Sequence, residues 1–196
     1  MSNRNEYGGF KPVRHLNGMP WNGKARMYYI PATDGTATFK GDAVKSAGSS
    51  DASGKYATVK QATAGSVNLR GVVIGFSDQP HIAVDVTNLY RTYRPASTAM
   101  YCLVVDDPDV IFEIQEDNAV NDMDADMVGL STDIAVGTGN TSSGLSAMEL
   151  DSSDTATAAG QCKILNVSNK EDNALGTYCK WDVLIIEHEM RSSTDV

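Results

Sequence analysis

Apolar residues along this chain come in short runs separated by turn residues, and no stretch holds a helical period over three or more turns. From residue 32 onward, Asp34-Gly35, Gly41-Asp42, Ser53-Gly54 and Ala64-Gly65 punctuate segments rich in Val, Ile, Thr and Tyr, as expected of a β protein. Gly71 to Phe76 and Ile82 to Val86 read as strands, as do Gln161 to Val167 and Trp181 to His188. Val183 to Ile186 is apolar on both faces, which predicts a central position in a sheet. In Val110 to Glu116, Val110, Phe112 and Ile114 point one way and Glu113 and Gln115 the other, the two-residue period of a half-buried strand. Tyr101 to Val105 precedes it across Asp106-Asp107-Pro108-Asp109, and the pattern predicts a long hairpin with a four-residue loop. The stretch from 137 to 160, rich in Gly, Ser, Thr and Asp, predicts loops and little core.

Residues 1–31 behave differently. Gly8-Gly9, Pro12, Asn17-Gly18, Pro20, Asn22-Gly23 and Pro31 interrupt any period, so the segment reads as an extended arm. Yet Tyr7, Phe10, Leu16, Met19, Trp21, Met27, Tyr28, Tyr29 and Ile30 are too apolar for a tail that stays in water. The arm is expected to be pinned on a surface of its own domain or of a partner. The fold class is therefore all-β, a β-barrel or β-sandwich, with an N-terminal arm over 1–31 and a β domain over 32–196 that divides, if at all, into two lobes near 118–126.

The 196 residues suffice for a core without staples, since a chain of this size buries roughly 70% of its unfolded surface. Cys102, Cys162 and Cys179 are odd in number and irregularly spaced, and read as buried free thiols. The first residues contain no apolar signal-like core, and no stretch approaches the ~20 apolar residues of a membrane span, so neither a secretory signal nor a membrane partner is expected. Without a secretory route the sequons at Asn140 and Asn166 carry no weight. A net charge of −9 argues against nucleic acid as the main partner. The charge is segregated: Arg4, Lys11, Arg14, Lys24 and Arg26 face only Glu6 in residues 4–26, whereas residues 106–126 hold nine acids and no base. A basic arm and an acidic body can meet across copies of an assembly, although a solvated acidic face that aids solubility accounts equally well for the acids alone.

Catalytic chemistry finds little support. There is no phosphate-cradling glycine loop and no G-x-S-x-G nucleophile turn. Of the histidines, His15 lies in the arm, His81 follows Pro80, and His188 sits in Glu187-His188-Glu189, which lacks the second histidine of a zinc-protease helix because Ser192 stands there. Asp106, Asp107, Asp109 and Glu113 are candidates for a glycosidase-like carboxylate pair, a role that geometry alone decides, but acids beside a proline are ordinarily turn formers. Asp122-x-Asp124-x-Asp126 is the most cation-like cluster, but Met127 replaces the calcium-loop glycine and Asp133 the bidentate glutamate. No cofactor and no structural metal are expected, and the reading is a non-enzyme.

The runs Gly9-Phe10-Lys11-Pro12-Val13-Arg14-His15-Leu16-Asn17-Gly18 and Tyr28-Tyr29-Ile30-Pro31 resemble the N-terminus of tailed-phage virion proteins described as capsid decoration, or cement, proteins. Phe39 to Val44, Gly71 to Gly75, Tyr90-Arg91 with Arg94 to Thr98, and Val104 to Gln115 extend the resemblance over the first 120 residues, and Asp172 to Gly176 with Val183 to His188 carry it more weakly to the C-terminus. The resemblance implies a β subunit on the capsid exterior, made in the host cytoplasm, whose partners are the major capsid protein and neighbouring copies of itself as a dimer or trimer. No catalytic residues come with it. The arm side chains Tyr7, Phe10, Arg14, Trp21, Tyr28 and Tyr29 are the candidate partner contacts, and deleting residues 1–31 is expected to leave a folded domain that no longer attaches. Two competing readings are a carbohydrate-binding or tail-associated β-sandwich using Trp21, Tyr90 and Tyr93 as sugar platforms, and a hydrolase using the acids of 106–117.

Overall fold

The computed structural model describes residues 3–65, 68–80, 91–118, 123–153 and 160–191. Twelve strands form nearly all of its regular structure: β1 (Lys11–His15), β2 (Arg26–Ile30), β3 (Ala43–Ser50), β4 (Ala57–Gln61), β5 (Gly71–Ser77), β6 (Met100–Val105), β7 (Val110–Gln115), β8 (Ser131–Thr132), β9 (Ile134–Ala135), β10 (Glu149–Leu150), β11 (Cys162–Val167) and β12 (Lys180–Ile185). The all-β class holds. Five strands close a barrel in the order β2-β4-β3-β5-β6, and five form an antiparallel sheet in the order β1-β7-β12-β11-β8, beside a small β9–β10 ladder. The strand predicted for Ile82 to Val86 lies outside the described residues.

Two-residue periodicity explains the division of the core. Tyr28 and Ile30 of β2, and Cys102 and Val104 of β6, point into the barrel with Val44, Val59 and Val73. Their neighbours Val72 and Val105 point outward, onto Phe112, Ile114, Trp181 and Val183 of the sheet, in one large cluster that also takes Phe10, Met148 and Leu150. Strands β5 and β6 therefore read apolar at successive positions, because one face fills the barrel and the other packs on the sheet. Strand β12 lies third of five, as its two-sided apolar sequence predicts. The 137–160 loop gives more to the core than its composition suggests, through fully buried Met148 and Leu150.

Two expectations are corrected. The hairpin of Tyr101–Val105 with Val110–Gln115 does not form: β6 pairs with β2 and β5, and β7 pairs with β1 and β12. A strand has two edges, and β2 takes the edge of β6 that a hairpin partner would need. The Asp106–Asp109 turn instead carries the chain from barrel to sheet. Of the stretch 118–126, residues 119–122 lie outside the described residues, and buried Met123 donates its N–H to Glu116 Oε2 at 2.8 Å.

The second correction concerns the arm. Residues 1–31 supply an edge strand of the sheet and one of the five barrel strands, and Phe10, Tyr28 and Ile30 are 1%, 4% and 0% exposed. The turn residues that break this segment leave 24–30 for β2, whereas β1 runs through Pro12, which an edge strand tolerates. Its apolar content serves the protein's own core: Phe10 meets Phe112 edge-on at 5.9 Å. Where the segment crosses the Gly41 turn, Phe10 N–H donates to Gly41 O at 3.0 Å, and a Cβ on Gly41 would lie 2.1 Å from Gly8 O. Gly41 adopts φ +94, so glycine there meets both the conformation and the close approach.

Candidate interaction surface

Of the six candidate contacts in the N-terminal segment, Phe10 and Tyr28 are core residues and are withdrawn as surface contacts. Tyr29 is half-buried and packs its ring on Tyr101, 5.1 Å between centroids. Trp21 lies against the main core and donates Nε1–H to Lys24 O at 3.3 Å. Arg14 reaches Asp182, buried in the sheet, at 2.9 Å. Tyr7 remains half exposed.

The surface that the segment does present is the loop between β1 and β2. It is held rigidly by local bonds. His15 N–H donates to Met19 O at 2.8 Å, Gly18 N–H to His15 O at 2.9 Å, and Leu16 N–H to Asp109 O at 2.7 Å. Asn17 Oδ1 accepts from Met19 N–H at 3.0 Å and Asn22 Oδ1 from Lys24 N–H at 3.2 Å, side-chain turns that suit asparagine before glycine. These bonds fix the backbone and leave Leu16 and Met19 52% and 58% exposed. With Val13 and Met190 they are four of the nine exposed large apolar side chains among the described residues. Strand addition at β1 is blocked, because Pro12 has no N–H, the ladder bulges between Pro12 and Arg14, and Trp21 N–H already occupies Val13 O.

Two adjoining clefts open beside the loop. One, of about 300 Å³, is walled by His15, Asn17, Met19, Asn22 and Lys24 with Asp107 and Asp109. The other, of about 360 Å³, lies among Lys24, Ala25, Arg26, Asp106, Asp107, Pro108 and Met190, so Lys24 and Asp107 stand between them. The acids predicted as a hydrolytic pair are each engaged elsewhere. Asp106 Oδ2 accepts from Tyr28 Oη–H at 2.7 Å and lies 3.6 Å from Arg26. Asp107 faces His15 Nδ1 at 3.3 Å, and Asp109 meets Arg191. Glu113 accepts from Ser168 Oγ–H at 2.5 Å and from Lys170; burial opposes its ionisation, but Lys170 and Ser168 outweigh it and hold the carboxyl below the usual range.

Asp106 of the second cleft also belongs to a polar cluster built around Tyr28. Arg70 Nε–H donates to Tyr28 Oη at 2.8 Å, and Glu189 accepts from Ser46 N–H at 2.7 Å. Burial, reinforced by Asp106, pushes the Tyr28 hydroxyl up to about 12, which keeps it a neutral donor. Burial and the nearby Arg70 and Arg191 lower the pKa of His188, whose Nδ1 accepts from Met190 N–H at 3.1 Å. Sequence reasoning missed this cluster because its members are separated by tens of residues and share no motif.

The remaining candidates do not assemble into chemistry. Among the described residues no group of three His, Cys, Asp or Glu side chains is placed to hold a metal. Asp124 caps a short 3₁₀ turn (Ala125–Met127) by accepting from Asp126 N–H at 3.0 Å, whereas Asp122 and His81 lie outside the described residues. Cys102, Cys162 and Cys179 are free and buried. Of the proposed sugar platforms, Tyr93 is stacked on Phe39 at 5.1 Å and 8° between planes, Trp21 packs inward, and Tyr90 lies outside the described residues. No described helix is long and apolar enough to cross a membrane. No family model, curated protein or solved structure matches the chain.

Proposed function

We propose that this chain is a capsid cement protein: a non-enzymatic subunit that binds the outside of a major capsid protein lattice and stabilises the shell. The observation that carries the reading is the β1–β2 loop, which holds Leu16 and Met19 in water on a fixed backbone although the protein has a full core in which to bury them. Side chains displayed in this way suit contact with a partner. The resemblance of residues 9–18 and 28–31 to decoration proteins supplies the partner's class. Attachment through a pre-ordered loop differs from clamping by a free arm, because little backbone entropy remains to be lost on binding. A subunit that binds only the assembled lattice stabilises it by mass action, about 2.7 kcal/mol per site at a hundredfold excess over Kd. Purified protein mixed with undecorated capsids should co-sediment saturably and raise the melting temperature of the shell. Absence of co-sedimentation at micromolar protein overturns the assignment.

A further inference from the structure

Two Asn-Gly pairs, Asn17-Gly18 and Asn22-Gly23, lie exposed in the β1–β2 loop, and the fold holds them differently. We propose that Asn22 is a site of spontaneous covalent modification, at which the Gly23 amide nitrogen displaces ammonia from the side chain and the residue converts to aspartate and isoaspartate, while Asn17 is protected.

The reaction needs an asparagine side chain folded back on the peptide that follows it, a next residue with no side chain to obstruct attack, and a backbone N–H free to lose its proton to a base. Both pairs meet the first two conditions. Asn17 Oδ1 accepts from Met19 N–H at 3.0 Å and Asn22 Oδ1 from Lys24 N–H at 3.2 Å, which turns each carboxamide back along its own chain. Gly18 and Gly23 adopt φ +87 and +83, and a Cβ on either would meet nothing within 4 Å, so both stand open to water. The third condition separates them. Gly18 N–H donates to His15 O at 2.9 Å, whereas Gly23 N–H donates to no acceptor among the described residues. An N–H bound to a carbonyl must break away before it is deprotonated, and a hydrogen bond of ordinary net strength slows that step roughly two- to tenfold.

Water is the only co-reactant. Hydroxide takes the Gly23 amide proton and the nitrogen bonds to Asn22 Cγ. The Cγ–Nδ2 bond then breaks and ammonia leaves, taking its third hydrogen from water and regenerating hydroxide. Water opens the cyclic imide at the former side-chain carbonyl to give aspartate, or at the backbone carbonyl to give isoaspartate. Isoaspartate routes the main chain through Cβ and Cγ, so the side-chain turn onto Lys24 N–H is lost. Either product adds a negative charge to a chain of −9, in the cleft that Asn22 shares with Lys24, Asp107 and Asp109. No partner takes part, so the inference stands apart from the cement reading.

The test incubates the full-length protein at mildly alkaline pH, folded and, in parallel, unfolded in guanidinium. Trypsin cleavage after Arg14 and Lys24 releases residues 15–24, one peptide that carries both asparagines, and fragmentation assigns the amide-to-acid mass gain to one or the other. In the folded protein conversion at Asn22 should outrun that at Asn17 by roughly two- to tenfold, and unfolding should bring the two rates together. Asn22→Gln, which would need a larger ring, should abolish the fast conversion and, being exposed, leave the melting temperature unchanged. Enzymatic methylation of the isoaspartyl carboxyl should label the aged peptide; aspartate without isoaspartate would overturn the cyclic route. Equal rates at the two sites in the folded protein, or a faster Asn17, would overturn the protection. A folded Asn22 that stays intact while the unfolded protein reacts would overturn the site itself.

Discussion

Arg94 offers the sharpest test of how the barrel is held together. Its side chain is 0% exposed, and its guanidinium donates to four backbone carbonyls: Thr98 O at 2.7 Å, Thr36 O at 2.6 Å, and Pro31 O and Asp34 O both at 2.8 Å. Asp34 Oδ2, 3.8 Å away, balances the charge. These carbonyls lie on the segment leaving β2 and the segment entering β6, so one side chain ties together two connections that must meet for the barrel to close. The Arg94 backbone adds an exchanged pair with Thr38, at 2.8 and 3.0 Å. Arg94→Met keeps much of the volume and removes every donor. Each carbonyl left dry costs about 1–3 kcal/mol, but the two segments that carry them can partly rehydrate, so the sum is not additive. Breaking a buried charge network typically costs 3–5 kcal/mol, and about 4 is the expectation here. For a chain of this size each kcal/mol moves the melting temperature by ~2–4 °C, so a fall of roughly 10 °C should follow. Arg94→Lys should recover only part, because an ammonium has three donors on one atom and cannot span four carbonyls. Urea unfolding followed by the fluorescence of buried Trp181 measures the change. Stability of Arg94→Met within 0.5 kcal/mol of wild type, on the order of the scatter for ordinary surface substitutions, would refute the argument.

Deleting residues 1–31 should abolish cooperative unfolding altogether, since it removes β2 from the barrel and β1 and Phe10 from the sheet; a sharp thermal transition in the truncated protein would contradict the strand assignments. Asp42 is fully buried, and burial pushes its carboxyl up to about 6 despite the bonds from Ser146, Phe39 N–H and Gln61 that favour ionisation. Its folded pKa lies above the unfolded one, so the native state binds the extra proton: the stability this group contributes is full below pH ~4 and is lost as pH rises through ~6, about 3 kcal/mol in all. Asp42→Asn should therefore gain stability over wild type progressively across that window, and parallel pH profiles for the two proteins would exclude the effect. The three thiols should resist alkylation in the native protein and all react once it is unfolded, Cys102 being buried and pushed up to about 12; fast native labelling of Cys102 would show that the barrel interior opens.

What the sequence determined by itself was the local order. Short apolar runs between Gly, Pro, Asn and Asp turns predict strands and not helices, and they place β5, β11 and the start of β12 within a residue of where they form, although β12 ends at Ile185 and not at His188. They also place β12 at the centre of a sheet, because a run apolar on both faces has no other stable position. Pairing was decided only by the tertiary structure. The 106–109 loop suits a hairpin as well as a crossover, and the choice depends on β2, seventy residues earlier in the chain, competing for one edge of β6. The same non-local competition turned the supposed arm into two strands, since an apolar segment does not record whether its covering surface is its own domain or another's. The Arg94 carbonyl cradle, the cluster of Tyr28, Asp106, Arg70 and Glu189, and the clefts at Lys24 were invisible for a related reason. Each is assembled from residues far apart in sequence, and charged groups are placed there by the closure of the barrel against the sheet, which no local pattern encodes.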